Sequence, residues 1–434
     1  MSTFAEIWLW GRQIGAVALE DNANYVSFEY AADFINSGIE VAPLTMPLTD
    51  RIYNFASLPF NTFHGLPGLL ADSLPDRFGN ALIDSWLASS GRVPETFNAV
   101  ERLCYTGIRG MGALEFHPLK GPRTKAAKKI KIDNLVELAS KILRSRQELN
   151  VIFSEKDDRD ALKEILLVGT SAGGARAKAV IAWNRKTNEV RSGQVDADAG
   201  FEHWLLKFDG VSGNKDRELN DPQGYGSIEY GYYQMAQDAG IEMSECRLLE
   251  ENGRRHFMTR RYDRTDDGQK LHKLSLAGMA HLDFNQAGVH SYEQAIFIIR
   301  QLGLPMKTVE QFFRRMVFNI VARNQDDHVK NIEFLMDKNG IWSLAPAFDL
   351  TYNYQAAGQW TSNHQMTLNG KRDNFSLEDF KSCATKALMM RGRAAMILKE
   401  VTETVSHWEK YANDAGVNSY KRDQIQNTLR LKLL

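Results

Sequence analysis

The sequence predicts an α+β fold, in which a mixed region of strands and helices is followed by a mainly α-helical region. Up to about residue 262, short runs of β-branched and aromatic residues alternate with Gly- and Pro-rich turns. From residue 263 onward, apolar residues recur at spacings of three and four, which is typical of amphipathic helices. We therefore expect three segments, which are 1–115, 116–262 and 263–434.

The composition is that of an ordinary globular protein, with 43% hydrophobic and 25% charged residues. A net charge of -1 disfavours a strongly basic nucleic-acid binder. The cysteines Cys104, Cys246 and Cys383 lie far apart, so neither a disulfide framework nor a zinc site is expected. A signal-peptide core and an apolar run of the ~20 residues that span a bilayer are both missing from the sequence. We expect a cytoplasmic protein without a membrane partner.

The first segment contains strand-like runs at residues 6–10 and 15–19, and no catalytic cluster is evident there. Residues 120–131 are rich in Lys and Arg and indicate an exposed linker, with contact to an acidic partner or a phosphate backbone as the alternative. Helical periodicity over residues 133–146 precedes a glycine-rich loop.

That loop, residues 168–178, has the sequence Val-Gly-Thr-Ser-Ala-Gly-Gly-Ala-Arg-Ala-Lys and leads into a strand-like run. Glycines let backbone N–H groups approach an anion closely, and Arg176 and Lys178 add positive charge. The spacing differs from that of an NTPase P-loop. A phosphate-binding loop is one interpretation, and a glycine-rich surface turn is the other.

A lysine lies within the next strand-like run, residues 201–208. Lys207 could face a nucleotide phosphate or a carboxylate, or it could be an edge lysine whose ammonium reaches solvent. Glu229 follows near the start of a predicted helix over residues 227–240. It is a candidate for positioning Lys207, and a solvated helix glutamate is the alternative.

The most informative stretch is Asn-Gln-Asp-Asp-His-Val-Lys-Asn at residues 324–331, which follows a strongly apolar predicted helix. Asp326 and Asn331 on one tight loop could orient a hydroxyl and hold a metal. A predicted hairpin over residues 332–344 would bring Asp349 back towards the same metal. Phosphoryl transfer needs such a set of oxygens. The alternative is ordinary turn chemistry, in which Asp and Asn side chains bond to nearby backbone.

The order of these pieces is that of a bilobed protein kinase: a glycine-rich loop, a strand lysine, a helix glutamate, a helical region and an Asp-x4-Asn loop followed by an aspartate. The chain also resembles the HipA toxins, which are serine/threonine kinases of bacterial type II toxin-antitoxin systems. The resemblance covers nearly the whole chain and rests on residues 63–68, 72–76, 171–178, 206–207, 261–264, 274–277, 324–331 and 344–350. It implies a bilobed protein-kinase-like fold with an extra N-terminal α+β subdomain and a mainly α-helical C-terminal lobe.

The resemblance also implies roles for individual residues. Asp326 would be the catalytic base, and Asn331 and Asp349 would be Mg2+ ligands. Ser171 would be the site of an inactivating autophosphorylation. The ATP-binding residues would be Gly173, Gly174, Ala175, Arg176, Lys178, Lys207, Arg260, Tyr262, Asp263, His328, Lys330 and Asn331.

Three positions leave questions open. Arg260 occupies a hinge position where members of the family often carry a glutamate. Asp327 lies beside Asp326, so either carboxylate could face the acceptor hydroxyl. His328 is expected to hold the loop rather than carry a proton, because phosphoryl transfer demands little base strength.

The resulting hypothesis is an ATP- and Mg2+-dependent protein serine/threonine kinase that acts as a toxin and arrests growth. The resemblance implies an aminoacyl-tRNA synthetase as substrate, glutamyl-tRNA synthetase in particular. It also implies a HipB-like helix-turn-helix antitoxin that binds operator DNA. One alternative is a catalytically weak corepressor. Another is a metal-dependent hydrolase built on Asp326, Asp327, His328 and Asp349, which would leave the glycine-rich loop unexplained.

Overall fold

The computed structural model describes residues 2–121, 131–145, 165–166, 168–169, 176–194, 200–211 and 223–433. The chain forms two units that interleave in sequence. Unit 1 comprises Met1–Gln223, Arg247–Leu274 and Met336–Ile341, and unit 2 comprises Gly224–Cys246, Ser275–Leu335 and Trp342–Leu434.

Unit 1 begins with an antiparallel sheet whose strand order is β3-β2-β1-β4. Its strands are β1 (Thr3–Leu9), β2 (Arg12–Leu19), β3 (Ser27–Tyr30) and β4 (Leu114–His117). Alternate residues of β1 are buried, which is typical of a sheet with one face on a core. The helices are α1 (Ala32–Ile35), α2 (Phe60–Phe63), α3 (Gly68–Ala71), α4 (Arg77–Ser89) and α5 (Ala99–Thr106), with a 3-10 turn at Pro94–Thr96. A capping box between Asn98 and Glu101 fixes the start of α5.

A second sheet of unit 1 has the order β6-β5-β7-β9-β8. It consists of β5 (Lys178–Asn184), β6 (Glu189–Ser192), β7 (Glu202–Lys207), β8 (Cys246–Glu251) and β9 (Arg254–Arg260). Helix α6 (Ile132–Ser145) precedes it, and β10 (His272–Ser275) follows it. Phe78 and Leu82 of α4 share one buried core with Leu135 of α6 and with Trp204 and Leu206 of β7. The sheet therefore packs through an apolar core against α4 and α6.

Unit 2 is mainly helical. It contains α7 (Tyr225–Asp238), α8 (Leu276–Ala280), α9 (Tyr292–Gln301), α10 (Met306–Val321), α11 (Leu377–Lys386), α12 (Arg393–Ser406), α13 (Trp408–Asp414) and α14 (Ser419–Gln426). A 3-10 turn, Val329–Asn331, precedes a hairpin of β11 (Glu333–Met336) and β12 (Trp342–Leu344). Helix α10 packs on α9 and α12 through buried residues such as Phe312, Val317 and Ile320. It leads directly into residues 324–331 from a rigid base.

The predicted α+β fold class is confirmed, including the apolar helix before residue 324 and the hairpin after residue 331. The predicted segments 1–115, 116–262 and 263–434 are continuous, whereas the two units interleave, and the three-segment division stays a prediction. In the part of the chain that the structure describes, no helix has the length and apolar character needed to cross a membrane. The cysteines Cys104, Cys246 and Cys383 are buried free thiols.

Candidate active site

After α10, the side chains of residues 325–329 alternate between the interior and the surface. Gln325, Asp327 and Val329 are buried. Asp326 and His328 lie on the accessible side, with 29% and 19% of their side chains exposed. The alternation separates the two adjacent carboxylates, so that Asp326 can meet a substrate and Asp327 cannot.

The carboxylate of Asp327 is fully buried and accepts hydrogen bonds from three donors. Oδ2 accepts from the Tyr292 hydroxyl at 2.5 Å and from His364 Nδ1 at 2.8 Å, and Oδ1 accepts from the Gln365 backbone N–H at 2.7 Å. Burial alone would raise the pKa of Asp327, but the adjacent His364 and these hydrogen bonds hold it below its ordinary value. Asp327 is therefore an ionised anchor beneath the loop.

His364 connects this anchor to an arginine that is distant in sequence. Arg430 Nη1 lies 2.8 Å from His364 Nε2, and a guanidinium can only donate. Nε2 must therefore accept, which places the proton of a neutral imidazole on Nδ1, where it is donated to Asp327. Burial, the largest influence, lowers the pKa of His364 despite the neighbouring carboxylate, in agreement with the neutral form.

The accessible carboxylate, Asp326, is oriented by neighbours on both its side chain and its backbone. Trp360 donates its indole Nε1–H to Asp326 Oδ1 at 2.7 Å. Asn331 donates its side-chain Nδ2 to the Asp326 backbone carbonyl at 3.0 Å. These two bonds fix the carboxylate and close the loop between residues 326 and 331.

His328 and Lys330 share an aromatic neighbour. The rings of His328 and Phe284 lie 6.0 Å apart, and the Lys330 ammonium lies 4.9 Å from the centre of the Phe284 ring. His328 Nε2 is 3.8 Å from Asp326 Oδ1, beyond hydrogen-bond distance. This geometry favours the interpretation of His328 as a residue that holds the loop.

Asn331 and Asp349 offer the kind of donors that Mg2+ prefers, one amide oxygen and one carboxylate. Because Asn331 donates Nδ2 to Asp326, its Oδ1 is turned away from that carbonyl. Asp349 has a positive φ of 52°, a backbone conformation that Asp tolerates better than most residues, and Asn324 Nδ2 donates to its carbonyl at 3.4 Å. Among the described residues, no cluster of three or more His, Cys, Asp or Glu could hold a metal. A metal here would take its remaining ligands from phosphates and water.

In unit 1, two lysines lie opposite each other on neighbouring strands. Lys178 of β5 pairs in register with Lys207 of β7, and Lys207 pairs with Phe257 of β9. Residues paired in this way share one face of the sheet. Lys178 is 2% and Lys207 is 8% exposed, and the Lys207 ammonium lies 5.7 Å from the centre of the Phe257 ring. Two lysines on one face of the sheet are candidates for contacting a phosphate.

Lys207 therefore lies on a central strand, and the edge-lysine alternative is wrong. Lys178 is the first residue of β5 rather than a loop residue, because it continues the ladder with β7. Glu229 is buried in α7 of unit 2. Arg176 is partly buried at the start of β5. Ser171, Gly173, Gly174 and Ala175 lie outside the described residues, and their predicted roles stay predictions.

The predicted hinge residues Arg260, Tyr262 and Asp263 lie at the end of β9 or just after it. Arg261 donates from Nε and Nη2 to the fully buried Asp263 carboxylate at 2.8 and 2.6 Å, and Arg264 Nη1 and the Gly112 backbone N–H donate at 2.9 and 2.6 Å. Burial favours a raised pKa for Asp263, but the two arginines hold it far below its ordinary value. The Asp263 side chain is thus engaged within the protein, so a nucleotide contact there would have to use its backbone.

The other two hinge predictions fall on more accessible side chains. Tyr262 is partly buried. Arg260 forms an ion pair with Asp266 at 2.9 Å, with 36% and 93% of their side chains exposed. Of the basic stretch, Lys120 is paired with Glu101 at 3.0 Å, and residues 122–130 lie outside the described part of the chain.

Two models of known protein families match this chain. The family model for the HipA-like C-terminal domain matches residues 170–408, more than half of the chain, and that for the HipA N-terminal domain matches residues 5–117. The chain belongs to the HipA family. The predicted resemblance is therefore confirmed.

A similar structure is that of HipA from Shewanella oneidensis MR-1, solved as a complex with HipB and its operator DNA. The TM-score is 0.67 at 14% identity, over 98% of this chain and 96% of that one. At this identity, the likeness shows that this HipA family member shares the fold. The Helicobacter pylori kinase CtkA matches 50% of this chain and 92% of its own length at 13% identity, with a TM-score of 0.31 that is too low to support an argument.

A curated relative from Haemophilus influenzae, provisionally described as a kinase, is 25% identical over 134 residues. The match spans 28% of this HipA family chain and 39% of that protein. A match of this extent does not by itself show the activity of this chain.

Sequence reasoning missed four residues that organise the loop of this HipA family member, namely Tyr292, Trp360, His364 and Arg430. Each lies 34 or more residues in sequence from its hydrogen-bond partner in this network, and no local spacing links them to the loop. A weak signal was available for His364, because a histidine flanked by Asn363 and Gln365 just before the apolar Met366 is a candidate for a buried polar contact.

Proposed function

We propose that this chain is an ATP- and Mg2+-dependent protein serine/threonine kinase and the toxin of a type II toxin-antitoxin system. The observation that carries the proposal is the arrangement of residues 324–331. One carboxylate, Asp326, is accessible and oriented by Trp360, while the adjacent Asp327 is buried and anchors the backbone. A group that orients an acceptor hydroxyl and takes its proton must be accessible and held in a fixed direction, as Asp326 is.

The proposed reaction transfers the γ-phosphoryl group of ATP to a serine or threonine. The acceptor oxygen forms a bond to the γ-phosphorus as the bond to the β-phosphate oxygen breaks, ADP leaves, and the hydroxyl proton passes to Asp326. Asn331 and Asp349 would hold Mg2+, which when bound neutralises charge on the phosphates. Lys178 and Lys207 would contact the phosphates, which is supported by their burial side by side on one sheet face.

The finer parts of the proposal rest on family membership. The residues Gly173, Gly174, Ala175 and Arg176 would cover the phosphates, and the hinge around Arg260 and Tyr262 would hold the adenosine. Ser171 would accept phosphate in an inactivating autophosphorylation. The substrate would be a translation component such as glutamyl-tRNA synthetase, and a HipB-like antitoxin would bring the toxin to operator DNA.

Nucleotide binding gives a direct test of this function. A ligand that binds the folded state at 100 times its Kd stabilises it by about 2.7 kcal/mol. We expect ATP to raise the melting temperature only when Mg2+ is present, and Lys207→Met to abolish the rise. A melting temperature that ATP and Mg2+ leave unchanged in the parent protein would contradict the proposal.

A second candidate function is that of a catalytically weak corepressor. The similar Shewanella structure, solved with HipB and operator DNA, supports this alternative. A corepressor without nucleotide chemistry should be stabilised by its antitoxin and not by ATP with Mg2+. The same melting experiment, with the antitoxin added in a separate arm, distinguishes the two functions.

A further inference from the structure

We propose that His364 and Arg430 are positioning residues for Asp326 and act through the buried Asp327. The inference rests on the proposed kinase function. It assigns a catalytic contribution to two residues that lie 38 and 104 positions beyond Asp326 in sequence. Their contacts among the described residues include none that is assigned above to nucleotide or metal.

The two adjacent aspartates are coupled through the backbone. Asp326 and Asp327 are consecutive, and their side chains differ in exposure, since Asp327 is 4% exposed and the Asp326 side chain is 29% exposed. A backbone movement that takes the Asp327 carboxylate off its donors also displaces Asp326, because one planar peptide unit joins the two residues. Because Tyr292, His364 and Gln365 hold Asp327 at 2.5 to 2.8 Å, they set the direction in which Asp326 points.

Arg430 sets the orientation of the His364 ring. Arg430 is fixed independently of the imidazole, since its backbone N–H donates to the Val321 carbonyl at 2.9 Å and Nη1 donates to the Ile320 carbonyl at 2.8 Å. Nη2 forms an ion pair with Asp373 at 2.6 Å. Both carbonyls belong to the last turn of α10, the helix that leads into the loop. Arg430 thus ties the proton donor of Asp327 to the same helix.

A purely structural role explains this chain of polar groups poorly. A network of buried polar groups contributes little net stability compared with apolar residues of the same size, because removing polar groups from water is costly. What such a network does provide is a single defined geometry. Here the network holds Asp327, and through it the accessible carboxylate of Asp326. A displacement of that carboxylate by about 1 Å can lower the rate about 100-fold.

The test measures phosphate incorporation from ATP with Mg2+ in the full-length protein. We expect Arg430→Met and His364→Ala to lower the maximal rate about 100-fold and to leave the KM for ATP unchanged. His364→Asn should recover most of the rate, because its amide can donate to Asp327 from near the position of Nδ1. The matched control is Arg393→Met, which breaks an ion pair with Glu310 at 3.0 Å elsewhere in unit 2 and should retain the parental rate.

Retention of the parental rate within about 3-fold by both Arg430→Met and His364→Ala would overturn the inference. So would an equal loss in Arg393→Met, which would indicate general destabilisation.

Hydrogen exchange of the peptide 324–331 separates this inference from the proposed function. If the parent transfers no phosphate, the proposed function fails, and exchange still decides the positioning. Faster exchange in Arg430→Met than in Arg393→Met supports it, and equal exchange overturns it.

Discussion

Each unit contains a fully buried carboxylate, and the partners of the two differ. In unit 1, Asp263 contacts the guanidinium groups of Arg261 and Arg264 directly. In unit 2, Asp327 contacts a phenol, a neutral imidazole and a backbone N–H, while the nearest arginine of its network, Arg430, lies behind the imidazole.

This difference in partners indicates different roles for Asp263 and Asp327. Where cations contact the buried charge directly, as at Asp263, the charge of the carboxylate is compensated by its immediate neighbours, and the cluster fixes a turn. Around Asp327, the dipoles of the donors stabilise the charge, and Arg430 acts on it only through His364. The position of Arg430 therefore determines the orientation of His364, which in turn determines that of Asp327. We infer that the cluster in unit 1 holds structure and that the cluster in unit 2 orients Asp326.

The largest effect on stability should come from Asp263→Asn. The change leaves the buried guanidinium of Arg261 without its counter-charge, which should lower the free energy of unfolding by about 3–5 kcal/mol. Chemical denaturation measures this loss. Asp266→Asn, which breaks the exposed pair with Arg260, is the matched control and should cost at most about 1 kcal/mol. Equal losses in the two variants would remove the distinction between buried and exposed pairs.

A pH dependence should follow from His272, a fully buried histidine of unit 1 whose Nε2 lies 3.0 Å from the Val41 carbonyl. Burial lowers the pKa of His272 from 6.5 to about 4. The unfolded state therefore binds a proton that the folded state excludes, so stability is complete above pH 6.5 and declines as the pH falls towards 4. The decline should reach about 3 kcal/mol.

Denaturation curves between pH 7 and 4 measure this effect, and His272→Gln should flatten the dependence. The control is His407→Gln, which changes an exposed histidine and should leave the slope as it is in the parent. A parental slope in His272→Gln would show that other groups cause the decline.

The two adjacent aspartates give the sharpest contrast in unit 2. Asp327→Asn replaces a carboxylate oxygen by an amide that cannot accept from all three donors, and should lower the free energy of unfolding by about 2 kcal/mol. It should also slow phosphoryl transfer. Asp326→Asn should abolish transfer and leave the melting temperature nearly unchanged, because its side chain is 29% exposed. Comparable destabilisation by both changes would contradict the assigned division of roles.

The smallest effect should come from Trp360→Phe, which removes the indole N–H and keeps an aromatic ring beside Asp326. Loss of one hydrogen bond, worth about 1 kcal/mol, should lower the maximal rate about 5-fold. Steady-state kinetics at saturating ATP measure the change. A rate that rises instead would mean that the indole blocks the carboxylate rather than orienting it.

Local patterns were enough to predict much of the fold and part of the candidate site. The spacing of apolar residues in α10 and the Asp-Lys-Asn-Gly turn between β11 and β12 are complete within a few residues, so the sequence could indicate both. The strand position of Lys207 was predictable for the same reason. Its pairing with Lys178 was not, because register between strands depends on long-range contacts.

The sequence also could not indicate whether Asp326 or Asp327 faces the acceptor hydroxyl. Both are aspartates in one loop, and what separates them is burial by Tyr292, His364 and Gln365, which come from elsewhere in the chain. The structural position of Asp263 depends in the same way on Gly112, 151 residues away. Tertiary contacts of this kind leave no periodic signal in the sequence.

The most direct test of the central claim is mass spectrometry of the protein and its Asp326→Asn variant after incubation with ATP and Mg2+. We predict a phosphate on Ser171 of the parent and none on the variant, with both proteins folded and both stabilised by the nucleotide. Phosphate on the variant at the parental level would contradict the role of Asp326. The absence of phosphate from both proteins, with ATP shown to bind, would contradict the kinase function and favour the corepressor.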